Sequence, residues 1–196
     1  MKFTKIPTTT FQQLGMNAGV LLSEFTPATP TLSDEKILGA TSGGINVSIV
    51  PSYEDFGDDI DNCPKNSKEL KKCTGYEVKA SGTFITVNPS LAARLLSTGV
   101  VDSTDETKIT PRADLDDSDF ADLWFVGDYS DKNGATNGGY IAIKLINALS
   151  TGGFSLQSSD KGKMQFSFEF TAHMSLSTQD TVPVEIYIKS GTAEAS

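Results

Sequence analysis

One histidine, two cysteines and several aspartate runs are the residues in this chain whose types could do chemistry. His173 is the only imidazole, so a Ser-His-Asp or Cys-His arrangement would have to use it. No Gly-x-Ser-x-Gly elbow accompanies it, since the segment Leu149-Ser-Thr-Gly-Gly-Phe154 does not fit. His173 falls on the polar parity at the end of an alternating stretch, which reads as a surface or structural position. Cys63 and Cys73 stand ten residues apart rather than in a Cys-x-x-Cys pair. Zinc needs four ligands, or three and an open position, and one histidine is a poor supplement. The two cysteines read as free thiols of a reducing compartment.

The remaining candidates fall in the same way. Gly39-Ala-Thr-Ser-Gly43-Gly44 lacks the lysine and hydroxyl of a phosphate loop, and a strand follows where a helix should begin. It reads as a turn. Placing Gly134 of the Asp128–Gly134 segment at the glycine position of a calcium loop puts Tyr140 where the bidentate acid belongs. The clusters Asp58, Asp59, Asp61 and Asp114, Asp116, Asp117, Asp119 read as solvated loops. Asn46-Val-Ser48 is a formal glycosylation sequon that matters only on a secretory route. No catalytic residue, metal site or cofactor is expected, and the chain reads as a non-enzyme.

Composition narrows the class further. At 196 residues and 20.9 kDa one domain is expected, with a core that needs neither disulfides nor metals. A mean hydropathy of −0.19 with 17 glycines favours turns and extended arms over a helical bundle. The net charge of −9 gains nothing from counterion release at phosphates, so tight binding of duplex DNA is disfavoured. DNA could still slide past such a surface. No apolar run is long enough for a membrane span. The opening MKFTKIPTTT lacks the apolar stretch of a signal peptide, which disfavours conventional secretion.

Period-two alternation supplies most of the elements. Residues 1–44 read as an arm with one short strand at Val20–Phe25, rich in Thr-Pro pairs that favour extended backbone. Residues 45–190 read as the main domain and 191–196 as a tail. Ile45, Val47 and Ile49 alternate with Asn46 and Ser48. In Tyr76–Val87, Val78, Ala80 and Phe84 oppose Glu77, Lys79 and Thr83, and Gly82 predicts a bulge. Asn88 and Pro89 open a helix over 89–98, with Gly99 as its expected stop. Further strands are expected at 119–129, 140–146, 154–157, 163–176 and 182–189. The clearest is Lys163–Met174, where Met164, Phe166, Phe168 and Phe170 alternate with polar residues. About eight strands and one helix are the inventory of a β-sandwich or small barrel with a flanking helix.

Several segments together are familiar. Phe11–Leu22, Ile37–Gly44, Pro51–Asn66, Ser81–Phe84, Ile109–Arg112, Asp119–Trp124 and Phe166–His173 appear in an order and spacing that resembles tail tube (major tail) proteins. These come from long-tailed phages and prophages of Gram-positive bacteria. The resemblance implies a mainly β fold, a β-sandwich or half-barrel with one side helix, related to the tube protein of type VI secretion. It implies homohexameric rings stacked into a tube in the virion tail, assembled in the host cytoplasm. DNA would pass through without specific binding, and the tape measure and tail terminator would be further partners.

Physical arguments place residues within that picture. The polar parity Gln165, Ser167, Glu169, Thr171 is the first candidate lining of a channel, and Glu77, Lys79, Ser81, Thr83 the second. The same faces would look alike if they met bulk water. The apolar parity, with Trp124, is the expected core. Asp58, Asp59, Asp61, Asp116 and Asp117 are candidates for ring–ring contacts, attracted by Lys68, Lys71 and Lys72. The acidic balance suits a wall that repels DNA in transit. Alternatives are another virion protein, of the distal tail or the capsid decoration, and a carbohydrate-binding sandwich using Trp124, Tyr129 and Tyr140.

Overall fold

Alternating apolar and polar residues become strand wherever one face can be buried, and here that happens along most of the chain. The computed structural model describes residues 5–130 and 138–192. Among these are β1 (Gly15–Leu22), β2 (Thr41–Asp55), β3 (Lys71–Phe84), α1 (Pro89–Leu95), β4 (Gly99–Val101), β5 (Ile109–Pro111), β6 (Ala121–Tyr129), β7 (Tyr140–Ser150), β8 (Ser155–Gln157), β9 (Gln165–Ala172) and β10 (Val184–Lys189). All their pairings are antiparallel.

The main sheet runs β1-β6-β7-β9-β3-β2, with β10 added to β7 and β8 to β9. It folds into two layers because β7 serves both. Its first part, Tyr140–Leu145, lies between β6 and β10, while Ala148–Ser150 pairs with β9. One layer is β1-β6-β7-β10 and the other β2-β3-β9-β8. The architecture is the mainly β sandwich or half-barrel with one helix that the alternation implies. β4 and β5 form a separate hairpin beyond α1.

The core lies between the layers. Leu21, Leu123 and Leu145 face Val78, Phe84, Phe166, Phe168 and Phe170, all buried. The Phe84 and Phe168 rings sit 4.4 Å apart. Burial of side chains this size contributes roughly 1.5–3 kcal/mol each. A second cluster on the outer face of the first layer joins Leu22, Phe25, Trp124, Val126 and Ala142. Phe25 meets Trp124 edge-on at 5.6 Å and Tyr140 at 5.4 Å, the geometry aromatic quadrupoles favour. The strand within residues 1–44 is therefore part of the main sheet, and Leu21, Leu22 and Phe25 are core residues.

Four expectations change. Met164 is not core but 54% exposed, because the paired strand starts one residue later at Gln165. Gly39–Gly44 is no simple turn. Gly43 (φ 81°) and Gly44 (φ 88°) make a bulge inside β2, where the register jumps between Thr41 and Ile45. Gly82, expected to bulge, pairs regularly with Ile45 and Phe168. A Cβ there would meet the Phe168 ring at 2.8 Å, so close packing requires the glycine. Finally, α1 begins as expected, with the Asn88 side chain accepting from Leu91 N at 2.7 Å, but it ends at Leu95. Ser97 takes the left-handed position (φ 65°), and Gly99 opens β4.

Side chains hold α1 to the sheet. Ser97 Oγ donates to the Ser150 carbonyl at 2.5 Å, and Ser150 Oγ donates to the Leu95 carbonyl at 2.9 Å. The half-buried Arg94 donates through Nη2 to the Asp122 carbonyl at 2.9 Å. Burial lowers its guanidinium pKa, and the Asp122 charge opposes that shift.

The packing makes a sharp contrast within one parity. Phe170→Ala should cost about 3–5 kcal/mol of unfolding free energy through its cavity. Met164→Ala should stay within about 0.5 kcal/mol of the parent. Urea unfolding of the two variants checks both.

Candidate functional site

The register of the second layer brings both sets of channel candidates onto one face. Lys79 lies opposite Thr171, Ser81 opposite Glu169 and Thr83 opposite Ser167. On the far side of β3, Ser48 pairs with Lys79 and Asn46 with Ser81. On the far side of β9, Ser155 pairs with Ser167 and Gln157 with Gln165. Side chains alternate strictly across a sheet, so all of these point away from the core. The result is a polar surface four strands wide. Asn46, Ser48, Ser155 and Gln157 extend the expected set; the parity of Asn46 and Ser48 was the signal for the first two.

Charge on this face is sparse and internally compensated. Lys79 Nζ lies 2.5 Å from Glu77 and 3.9 Å from Glu169. The hydrogen bond to Glu77, then the Glu77 and Glu169 charges, hold the Lys79 ammonium above the ordinary lysine range, against some desolvation. Thr151 Oγ1 donates to Glu169 Oε1 at 3.1 Å and shares a 2.8 Å hydrogen bond with Thr171. Two carboxylates face one ammonium, and the other candidates are neutral. The acidity of the chain lies elsewhere, with eight of its 25 acidic residues between Asp102 and Asp122.

The ring–ring candidates separate into two places. β2 and β3 form a long hairpin, with Glu54 opposite Lys72 and Asp55 opposite Lys71 at its end. Asp58, Asp59, Asp61 and Lys68 are exposed on the connection between them, beside exposed Phe56 and Ile60. Asp116 and Asp117 lie instead in a 3-10 turn between β5 and β6. There the Asp116 carboxylate accepts from Ser118 N, Asp119 accepts from Asp116 N at 2.8 Å, and Arg112 pairs with Asp119. Asp116 thus has a local capping role. Asp102 nearby is held below the usual carboxylate range by the backbone N–H groups of Thr104 and Asp105.

Residues considered for catalysis or binding have structural partners. His173 Nδ1 lies 3.3 Å from the Asn147 carbonyl, and its ring meets Phe120 edge-on at 5.3 Å. Cys63 Sγ lies against the Pro64 carbonyl at 3.6 Å, and both cysteines are free thiols. Among the described residues no three His, Cys, Asp or Glu side chains come together as a metal site. The calcium-type loop beyond Ser130 lies outside the described residues. Trp124 is buried, and the Tyr140 hydroxyl donates to the Pro27 carbonyl at 2.8 Å. That arrangement removes two of the three aromatics a sugar platform would use.

One concavity escapes a reading by alternation. A groove of about 590 Å³ opens on the outer side of the first layer, lined by Val20, Phe25, Leu32, Val126, Gly127 and Tyr140 among others. Its lining comes from distant parts of the chain, so no local pattern announces it.

No protein-family model matches this chain, and no curated protein matches it. Among solved structures it is similar to a chain described as "Virion of native gene transfer agent (GTA) particle". That overlap has 8% identity and a TM-score of 0.42, covering 88% of this chain and 96% of the other.

The charge arrangement on the polar face has a measurable consequence. Lys79→Glu sets three carboxylates side by side, and like charges facing across strands destabilise. The thermal midpoint should fall by a few degrees at low salt. The deficit should shrink as salt screens the repulsion.

Proposed function

We propose that this chain is a virion structural protein, the subunit of a phage tail tube. In this reading it forms rings with copies of itself, and the rings stack around a bore through which DNA passes. The observation that carries it is the second layer: one face packed with phenylalanine, the other polar over four strands, and an open flank at β2. Among the described residues β2 has β3 as its one ladder partner, although it is 15 residues long. A long unpaired edge is a hazard in a monomer, and closing a sheet through neighbouring copies removes it.

Other features support the same reading. The chain exposes 13140 Å², against about 9,000 Å² expected for a compact monomer of this mass. Exposed Phe56, Ile60, Ile186 and Ile188 add apolar surface of the kind that interfaces cover. The polar face is hydrophilic without a cationic patch that would hold phosphates. In this picture Gln165, Ser167, Glu169, Thr171, Glu77, Lys79, Ser81 and Thr83 meet the lumen. The hairpin end with Asp58, Asp59, Asp61, Lys68, Lys71 and Lys72 reaches an adjacent ring, and the separate turn with Asp116 and Asp117 is a second place for such a contact. The tape measure and tail terminator are the further partners. The tail of the virion is the location, after assembly in the host cytoplasm.

Negative-stain microscopy of the purified protein, before and after concentration, tests the proposal. Rings or hollow tubes that lengthen with concentration are the expected result. A monomer at every concentration, confirmed by sedimentation, overturns it.

A further inference from the structure

The groove is bordered by an irregular stretch of β1 and by the neighbouring strand β6. In β1 the register jumps between Met16 and Val20, with Asn17 and Gly19 both at φ 67°. A Cβ on Gly19 would strike the Phe125 ring at 2.6 Å and the Val126 carbonyl at 2.8 Å, so only glycine fits that bulge. Val126 and Gly127 on the neighbouring strand border the groove, and Phe25 and Tyr140 supply an aromatic wall. The opposite wall is the loop carrying Leu32, which is 59% exposed. That loop is closed at its base by Ser23 N donating to the Lys36 carbonyl at 2.8 Å and by a Lys36–Glu24 ion pair. The cavity is open, mostly apolar and held in shape by its own backbone.

The segment before β1 has the complementary defect. Ile6 is 76% and Phe11 63% exposed, so neither occupies the groove of its own copy. The segment is nonetheless shaped. Thr10 N donates to the Pro7 carbonyl at 3.2 Å, Phe11 sits on the 3-10 turn Thr10–Gln13, and the Leu14 carbonyl accepts from Ser130 N at 2.9 Å. A large apolar side chain on a preformed turn loses little freedom on docking.

We propose that Phe11, with Ile6 beside it, seats in this groove on a second copy of the chain. Such a contact is heterologous, a patch on one copy meeting a pocket elsewhere on the next. Repetition of a heterologous contact gives a closed ring or an open filament. The inference shares with the tube reading only the need for a second copy.

Mixed cysteine crosslinking tests it. In a full-length Cys63→Ser, Cys73→Ser background, a Phe11→Cys chain is mixed with a Leu32→Cys chain under a mild oxidant. The control mixture pairs Phe11→Cys with Leu176→Cys, a position 87% exposed and outside the groove lining. A disulfide-linked species at twice the chain mass, in clear excess over the control, is the expected result. Phe11→Asp should also raise the concentration needed for association while leaving the unfolding midpoint of the monomer unchanged. Equal yields in the two mixtures overturn the proposal. So does a link confined to single chains in the Phe11→Cys, Leu32→Cys double variant. Rings with equal yields would sink the arm contact and leave the tube reading standing; preferential linking without rings or tubes would do the reverse.

Discussion

The layer of phenylalanine on β9 is the constraint on which the rest of the molecule depends. Phe166, Phe168 and Phe170 take every second position, so all three must enter the same interior. Once they do, Ser167, Glu169 and Thr171 have only the opposite face available. Pairing with β3 then fixes where Lys79, Ser81 and Thr83 lie. The polar surface is thus a by-product of core packing, with its composition free to vary while its position is not. Gly82 shows how tight the arrangement is, since the Phe168 ring leaves no room for a Cβ beside it.

Charge is distributed as if the two faces of the molecule answer to different demands. The polar face keeps two carboxylates close to an ammonium. The segment from Asp102 to Asp122 gathers acidic groups around turns, caps and Arg112. Net charge alone therefore says little about any one surface. An acidic chain can carry a nearly neutral face when its carboxylates are spent on backbone N–H groups in loops.

How much of this was legible in the residues depended on whether the cause was local. Strict alternation admits one solution, so the burial of Phe166, Phe168 and Phe170 could be read directly. Met164 continues the same pattern, yet no local signal tells where the ladder ends. Asn88 and Pro89 announced the helix start, but its stop used Ser97 in a conformation usually given to glycine. The glycines of β2 and β3 both signalled irregularity without saying which strand would bulge. The polar face needed the pairing of Ser81 with Glu169, distant in the chain, which periodicity does not encode. The groove was hidden for another reason: Phe25, Leu32, Val126 and Tyr140 come together in it from distant parts of the chain, and no local pattern encodes that.

The sharing of β7 between layers carries a mechanical implication. Two sheets held only by apolar contact can slide or peel apart, because dispersion forces have no direction. Here a single continuous strand is laced into both, through β6 and β10 at one end and β9 at the other. A sideways load on the first layer must therefore shear several hydrogen bonds at once before the second layer is released. The body should yield as one stiff plate, with compliance left to its hairpin and arm.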